Sequence, residues 1–471
     1  MLGFGKNKKI PIGYEDFKLL IDGGFYYVDK TMLIYDLLSF GGQNNLITRP
    51  RRFGKTLNFS MLRYFFDVNE KENAYLFDGT KIMAHADEVA PYRNAFPVIS
   101  LSLKSAKQGS FDRALFCICT EIREQFIKYS YVLDGDKLTD VEKRDYRRIL
   151  ECETADERLF GTALKKLSSA LAKYYGQNTV IFIDEYDMPL DAAYLYGYYD
   201  EMVAFIRTMF ESALKTNPSL QFSLITGSLH VLNESIFSAI NNIEVNSIRS
   251  KAYSSFFGFT DDEVEGLMDY YRFDGKKSDL EDWYGGYFFG GQKIYNPWSV
   301  LHQMKQWSLD GGSLPERRWK DMSYNDFLGT SMTGSGAYMI RQMKELLGGG
   351  EISSPVYDSI PFDRIKNDAA ALYTFLYYIG HLTIVGTEVQ DGKTLCRLKI
   401  PNREIRLWYD DMFGAGEAGT TAAECSAADH SANGDAGEGA KPAVEENPLV
   451  VGNKPRENKD EDDGRFSRIL G

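Results

Sequence analysis

The sequence predicts an α/β protein whose core is a mainly parallel sheet flanked by helices, and two observations lead to this prediction. A short apolar stretch at Leu46–Thr48 runs into a loop that ends in Gly54-Lys55-Thr56, and an apolar-periodic helical segment follows. A second apolar stretch, Thr179–Ile183, ends in two adjacent carboxylates, Asp184 and Glu185. Because ligands bind at the carboxyl ends of the strands in open α/β sheets, we expect both stretches at one edge of a shared sheet, side by side.

The strand, loop and helix around Gly54-Lys55-Thr56 predict a phosphate-binding loop, and hence a P-loop NTPase core. Gly54 lets the backbone approach a phosphate, Lys55 supplies charge for the β- and γ-phosphates, and Thr56 offers a hydroxyl to Mg²⁺. The alternative interpretation is a turn followed by a basic helix start. The predicted nucleotide-binding residues are Arg49, Arg51, Arg52, Phe53, Gly54, Lys55, Thr56 and Leu57.

The loop differs from G-x-x-x-x-G-K-[ST] at the first glycine, where Arg49 stands, followed by Pro50. Pro50 removes one amide donor and fixes φ. We expect Arg49, Arg51 and Arg52 to compensate with guanidinium charge, either by cradling phosphates or by reaching an adjoining domain.

The carboxylates at the end of Thr179–Glu185 predict the metal and the base of the site. Asp184 is expected to hold Mg²⁺ through water, with Thr56 as the other metal-binding residue, and Glu185 is expected to orient and deprotonate the attacking water. The alternative is a strand that ends in an acidic turn, Asp184 to Asp187, which caps a helix. The loop and the acidic strand occur in the order that an ATP site requires, so together they favour that site.

A further strand, Gln221–Ser228, ends in polar residues. Thr226 is the candidate for a polar side chain between the carboxylates and the γ-phosphate, with Ser228 second. The alternative is a strand that runs into a turn at Gly227. The predicted catalytic residues are therefore Glu185, Lys55 and Thr226.

Other segments complete the predicted fold. Tyr26, Tyr27 and Asp29 are candidates to cover a nucleotide base, the alternative being aromatic core packing with a helix cap at Asp29. The remaining predicted elements are strands at Pro97–Ser102, Val245–Ile248 and Leu395–Ile400, helices at Met32–Leu38, Phe111–Tyr129 and Val203–Leu214, a helix capped by Thr260, and a buried helix and strand within Ala370–Val385.

Composition divides the 471 residues into three predicted parts. A P-loop ATPase-like domain spans 10–258, and a smaller helical or winged-helix-like lid spans 259–410. The segment 411–471 is a low-complexity tail, rich in Ala, Gly and acidic residues, which predicts disorder. Its acidic excess accounts for part of the net charge of −13. An acidic chain is a poor candidate for a general binder of polyanions.

The cysteines, the N-terminal residues and the apolar regions indicate where the protein is expected to be located. Five scattered cysteines without a C-x-x-C pair indicate reduced thiols, and the basic N-terminus has no apolar stretch after it. The longest apolar region, Ala370–Val385, is too short to span a bilayer. We therefore expect a cytoplasmic protein.

Several runs resemble the bacterial AAA-ATPase-like family, over about Ile10 to Trp408. The matching runs are Tyr26–Thr31, Thr48–Asn58, Ile183–Asp187, Phe256–Thr260 and Tyr295–Val300. The resemblance implies an ATP-binding α/β core with ATP and Mg²⁺ as cofactors, in which the catalytic Glu follows the metal-binding Asp. The Arg-Pro pair in place of the first glycine is itself a feature of that family.

Two differences from the family bear on activity. Its members carry an arginine where this chain has His230, which supplies only a conditional charge, so hydrolysis is in question. Members often continue into a C-terminal PD-(D/E)XK nuclease-like domain. No acidic strand with a matching Glu-x-Lys follows Trp408, so we expect no nuclease activity from this chain.

Three functional hypotheses follow. The first is a Mg²⁺-dependent ATP-binding protein that acts as a slow ATPase. The second is a nucleotide-gated module that binds a protein or nucleic-acid partner without productive hydrolysis. In the third, Arg49, Arg51 and Arg52 contact a nucleic-acid backbone, against which the net acidity argues. The sequence identifies neither the partner nor the oligomeric state.

Overall fold

A five-stranded sheet forms the centre of the protein in the computed structural model, which describes residues 7–229, 236, 240, 242–318, 337–365, 367–390 and 392–411. All neighbouring strands pair in parallel, in the order β2-β3-β4-β1-β5. The strands are β1 Asn44–Thr48, β2 Val98–Ser102, β3 Thr179–Asp184, β4 Leu220–Gly227 and β5 Ile243–Asn246. The predicted fold class, an α/β protein with a parallel sheet, is confirmed. The tail predicted from residue 411 lies outside the described residues, except for Asp411 itself.

The strand order corrects one expectation. The stretch 179–185 was expected directly beside 46–48, but β4 lies between β1 and β3 and pairs with both. Motifs predict the edge of the sheet at which residues lie, because every parallel strand delivers its carboxyl end there. They do not predict which strands are neighbours. The inserted strand is the one that carries Thr226 to that edge.

Helices cover both faces of this sheet. β3 is buried along its whole length, as a strand covered on both faces should be. Its alternate residues pack into different apolar clusters: Ile181 and Ile183 into one, Val180 and Phe182 into the other. The helices of this part are α1 Phe17–Asp22, α2 Met32–Phe40, α3 Lys55–Phe66, α4 Ala86–Val89, α5 Phe111–Lys128, α6 Asp140–Leu150, α7 Glu157–Phe160, α8 Ala163–Tyr175, α9 Met188–Tyr196 and α10 Tyr199–Phe210, which continues into a π-helical turn at Glu211–Lys215. Short 3-10 helices lie at Val68–Phe77, Lys81–His85, Leu103–Ala106 and Ser130–Leu133.

The following segment combines helices with two small antiparallel sheets. One sheet has the order β6-β8-β7, and the other β10-β11-β9. The strands are β6 Phe259–Thr260, β7 Tyr287–Phe289, β8 Gln292–Tyr295, β9 Ile352–Ser354, β10 Thr383–Gln390 and β11 Lys393–Lys399. The helices are Asp261–Tyr271, Lys277–Tyr284, Pro297–Asp310, Ala337–Leu347, Phe362–Ile365, Ala369–Tyr378 and 403–411. Below, the described residues from 259 onward are called the C-terminal module. The domain boundary predicted at residue 258 stays a prediction.

The helix start predicted at Thr260 is present in the C-terminal module. Thr260 begins the helix Asp261–Tyr271 with a capping box, in which Glu263 is the reciprocal partner.

No helix among the described residues has both the length and the apolar character that crossing a membrane requires.

The Gly285-Gly286 pair marks a close approach of two backbone segments. Gly286 has φ +79°, and a Cβ added to it would lie 1.9 Å from the backbone oxygen of Pro401. The glycine therefore lets β7 lie against the segment that precedes the last helix. Gly291 has a similar φ of +87°, but a Cβ there would meet nothing within 4 Å.

Gly286 and Gly291 together give a matched test of the close approach between β7 and Pro401. We expect Gly291→Ala to lower the free energy of unfolding by about 1 kcal/mol, through left-handed backbone strain alone. Gly286→Ala should lower it by about 3 kcal/mol, because the backbone at Pro401 must also move. Urea denaturation followed by tryptophan fluorescence measures both values. Equal losses for the two variants would contradict the packing described here.

Candidate functional site

A cavity of about 510 Å³ opens at the carboxyl edge of the parallel sheet, beside the loop that follows β1. The loop and the first turn of α3 form one wall, and Glu185 and Met188 lie next to them. The other walls come from the N-terminal segment (Pro11–Glu15 and Tyr26–Val28) and from the C-terminal module (Pro297, Trp298, Leu301 and His302). Three separate parts of the chain therefore enclose one space.

The loop curls around the ammonium group of Lys55. Gly54 adopts a left-handed conformation with φ +84° immediately before α3 begins. Lys55 Nζ donates to the backbone oxygens of Arg49 (2.9 Å) and Pro50 (3.1 Å). Burial lowers the pKa of Lys55, whereas Glu185, Asp187 and Asp184 raise it. The loop thus holds a buried cation close to three carboxylates, at the N-terminus of a helix.

Asp184 joins the loop helix to β3 and β4. Its Oδ2 accepts from the Thr56 hydroxyl at 2.8 Å, and its Oδ1 accepts from the Thr226 hydroxyl. Burial raises the pKa of Asp184, and the hydrogen bond from Thr226, the charge of Lys55 and the hydrogen bond from Thr56 lower it. The structure therefore brings together Lys55, Thr56, Asp184 and Thr226, which were predicted from three separate motifs.

The oxygen atoms around Asp184 fit a hard divalent cation such as Mg²⁺. Mg²⁺ binds through one or two carboxylates with water and substrate phosphates, rather than in a cage built from protein alone. In the part of the chain that the structure describes, no group of three or more His, Cys, Asp or Glu residues is placed to hold a metal ion. The donors in place are the Thr56 hydroxyl and the Asp184 carboxylate.

Glu185 has an unusual backbone conformation and faces the cavity. Its φ is +53°, which is uncommon for a residue other than glycine. Burial raises the pKa of Glu185, against the lowering effect of Lys55. A carboxylate with a raised pKa is better matched to accepting a proton near neutral pH than an exposed one.

The turn after Glu185 is tied to the end of β4. Asp187 accepts from the backbone amides of Ser228 (2.7 Å) and Leu229 (3.1 Å), and the Tyr186 hydroxyl donates to the Leu229 oxygen at 2.6 Å. Asp187 precedes α9, but its side chain makes no capping hydrogen bond there. The acidic turn therefore fixes the β3–β4 edge rather than capping a helix. His230 lies outside the described residues.

Arg49 lies inside the protein, away from the cavity. Its guanidinium sits between the rings of Phe257 and Phe289, and burial lowers its pKa to about 9. It donates to the backbone oxygens of Thr48 (2.8 Å), Asn246 (2.9 Å), Ala252 (3.4 Å) and Tyr253 (3.2 Å). The side chain thus joins the ends of β1 and β5 to the segment that leads into the C-terminal module, and it does not line the cavity.

The other two loop arginines both line the cavity, but they contact different partners. Arg51 lines the cavity, contacts Met188 and pairs with Asp191 at 3.5 Å. Arg52 reaches the C-terminal module, where it donates to the backbone oxygen of Arg318 (3.3 Å) and lies 5.0 Å from the Trp298 ring. Arg52 thus reaches the adjoining part of the chain, and a contact between either arginine and a phosphate stays a prediction.

Phe53 anchors the loop in the apolar core of the C-terminal module. Its ring packs against Tyr287 and Phe289, with centroids 5.1 and 5.2 Å away. Its backbone oxygen accepts from Gly258 N at 2.9 Å. The remaining loop residue, Leu57, lies half-buried on the cavity wall.

The three N-terminal residues that were candidates to cover a nucleotide base lie in different surroundings. Tyr26 and Tyr27 line the cavity. Asp29 accepts from the backbone amide of Thr31 (2.9 Å) and its hydroxyl (2.6 Å), which is a local turn at the start of α2. Its Oδ2 also accepts from the backbone amide of Lys81 at 2.7 Å, and the N-cap residue of α2 is Thr31, so Asp29 joins the start of α2 to another segment rather than capping the helix.

Sequence reasoning missed several residues around the cavity. Asp191 lies on α9 and His302 on the helix Pro297–Asp310, and no sequence motif points to either residue. Trp298 was part of a recognised run, but nothing in the run indicated that it faces the loop. Lys30 was missed because its partners, Glu263 (2.5 Å) and the Ser255 oxygen (2.6 Å), lie more than two hundred residues away.

Comparison with known proteins agrees with this geometry. Residues 11–237 match the AAA-ATPase_like family, described as a predicted AAA-ATPase. The resemblance stated from the sequence is confirmed over that range, which contains the loop, β3 and β4. At a coarse level the match supports nucleotide binding and an ATPase.

A curated relative extends further along the chain. The "Uncharacterized protein in vnfD 5'region" of Azotobacter chroococcum mcd 1 is 26% identical over 409 residues. The aligned part covers 86% of this chain and 70% of the relative. The similarity thus includes the C-terminal module, but the printed name gives no activity.

The buried contacts of Arg49 predict a structural role. We expect Arg49→Ala to lower the free energy of unfolding by roughly 3 kcal/mol, because four backbone oxygens, three of them in buried hydrogen bonds, lose a charged donor. Arg144→Ala, at an exposed position on α6, is the matched control and should stay within about 0.5 kcal/mol of wild type. Chemical denaturation provides the comparison. Similar stability of the two variants would show that the guanidinium is dispensable for the fold.

Proposed function

We propose that this protein binds ATP together with Mg²⁺ in the cavity beside the loop, and that it is a slow ATPase. The observation that carries the proposal is the Asp184 carboxylate, hydrogen-bonded to Thr56 and Thr226 beside Lys55 and Glu185. A hydroxyl, a carboxylate and a buried ammonium at one helix N-terminus are the groups that phosphates and their cation require.

Each residue has a proposed role in the chemistry. Lys55 exchanges its two backbone partners for oxygens of the β- and γ-phosphates. Thr56 and Asp184 hold Mg²⁺, which when bound neutralises charge on the phosphate oxygens. Glu185 accepts a proton from the attacking water, and Thr226 keeps Asp184 in place. The water oxygen forms a bond to the γ-phosphorus as the bond to the β-phosphate oxygen breaks, which gives ADP and inorganic phosphate.

A second candidate function rests on a different observation. Phe53 packs within the C-terminal module, and Arg52 contacts Trp298 and Arg318, so a nucleotide that moves the loop also strains these contacts. ATP would then act as a ligand that shifts the module toward a state competent for a protein or nucleic-acid partner, without productive hydrolysis. Single-turnover phosphate release measured beside equilibrium ATP binding separates the candidates. Binding without release favours the switch.

Lys55 should be required for binding in both candidates. We expect Lys55→Ala to weaken ATP binding by about 100-fold or more, because the buried cation beside the phosphates is lost. Lys71→Ala, at an exposed position outside the cavity, should leave the affinity unchanged. Titration with and without Mg²⁺ measures both. Wild-type affinity in Lys55→Ala would exclude this cavity as the nucleotide site.

Glu185 should be required for turnover alone. We expect Glu185→Gln to keep ATP affinity within about threefold of wild type and to lower phosphate release by about 100-fold or more, since the amide cannot accept the proton. Single-turnover phosphate release and equilibrium binding are measured on the same preparation. Unchanged release would remove Glu185 from the mechanism.

A further inference from the structure

The loop carries three arginines, and their positions assign them different tasks. Arg49 is enclosed by backbone oxygens, and Arg52, which also lines the cavity, is held to the C-terminal module by the Arg318 oxygen and the Trp298 ring. Arg51 remains beside the reacting groups. We propose that Arg51 is a catalytic arginine that stabilises the negative charge of the transferring phosphoryl group, and that Asp191 is the residue that positions it. The inference rests on the proposed function and deepens it.

The location of Arg51 supports this role. It lines the same cavity as Lys55, Thr56 and Glu185, and its charge lowers the pKa of both Lys55 and Glu185. Its neighbour Met188 lies on the same wall, three residues after Glu185. A guanidinium at this position therefore faces the region between the loop and the proposed base, where the γ-phosphate is expected.

Arg51 has the chemistry that the step needs. In phosphoryl transfer, charge spreads over the oxygens of the transferring group while the bond to the leaving oxygen lengthens. A planar guanidinium contacts two such oxygens at once, whereas an ammonium acts as a point charge. Arg51 takes part in no bond change: the water proton passes to Glu185, the electron pair of the broken bond stays on ADP, and the guanidinium remains protonated.

Asp191 gives Arg51 a fixed orientation. Its carboxylate lies 3.5 Å from Arg51 Nη2, and its side chain is 7% exposed, against 22% for Arg51. The acid thus stands on the buried side of the pair, on the first turn of α9, and the arginine extends from it toward the cavity. Because α9 follows the acidic turn directly, the segment that carries Glu185 also sets the position of Arg51.

The position predicts a selective loss of turnover. We expect Arg51→Ala to lower the turnover number roughly 100-fold or more while ATP affinity changes less than about threefold. Arg51→Lys should recover only a small part of the loss, since it restores charge without the bidentate geometry. Melting temperatures within a few degrees of wild type show that each variant is folded. Arg144→Ala, an arginine outside the cavity, is the control and should turn over as wild type does.

A double-mutant cycle tests Asp191. We expect Asp191→Asn to lower the turnover number about tenfold in the wild-type background and to have no further effect in Arg51→Ala, because it acts through that arginine. Asp145→Asn, on the half-exposed acid that pairs with Lys166, is the control for charge removal. Multiplicative losses in the double variant would overturn the positioning role.

The outcomes distinguish this inference from the proposed function. Wild-type protein that fails to bind ATP overturns the proposed function and with it this inference. Wild-type protein that binds ATP without turnover overturns the catalytic role of Arg51 but leaves nucleotide binding intact. Wild-type turnover in Arg51→Ala overturns the role of Arg51 alone, and the ATPase proposal stands.

Discussion

The geometry of the site depends on one buried carboxylate, that of Asp184. A carboxylate out of water costs several kcal/mol unless hydrogen bonds compensate it, and here two hydroxyls supply them, from Thr56 and Thr226. Each hydroxyl belongs to a different element, so satisfying one side chain fixes the first turn of α3, the end of β3 and the end of β4 together. Lys55 and Glu185, the neighbours of Thr56 and Asp184, are placed by the same constraint.

A second constraint connects that edge to the rest of the chain. Arg49 occupies the place where a phosphate-binding loop ordinarily has a glycine, and its four backbone partners hold the end of β1 against the end of β5 and residues 252–253. Phe53 and Arg52 continue the connection into the C-terminal module. The loop is therefore both a wall of the cavity and a connection between two parts of the protein.

Local patterns predicted most of the core elements. Apolar runs that end in turns or charges indicate buried strands wherever the strand is covered on both faces, and the bounds of β2 and β3 fall within two residues of those expected. The helix cap at Thr260 was also predicted, because it depends on residues that are close together in the sequence. The order of the strands was not predictable in the same way, because β4 enters between β1 and β3 through pairings that no motif encodes.

The sequence by itself determined the chemistry available at the site: a lysine and a threonine at a helix start, two carboxylates at a strand end, and a threonine on a later strand. Those residue types follow from motifs that span a few positions each. Only the tertiary structure decided what the arginines do, since 49, 51 and 52 are alike in sequence but meet backbone oxygens, Asp191 and Trp298 respectively. The physical reason is that a guanidinium takes its role from the groups that folding brings to it, and apart from the Thr48 oxygen these groups lie more than a hundred residues away in the sequence.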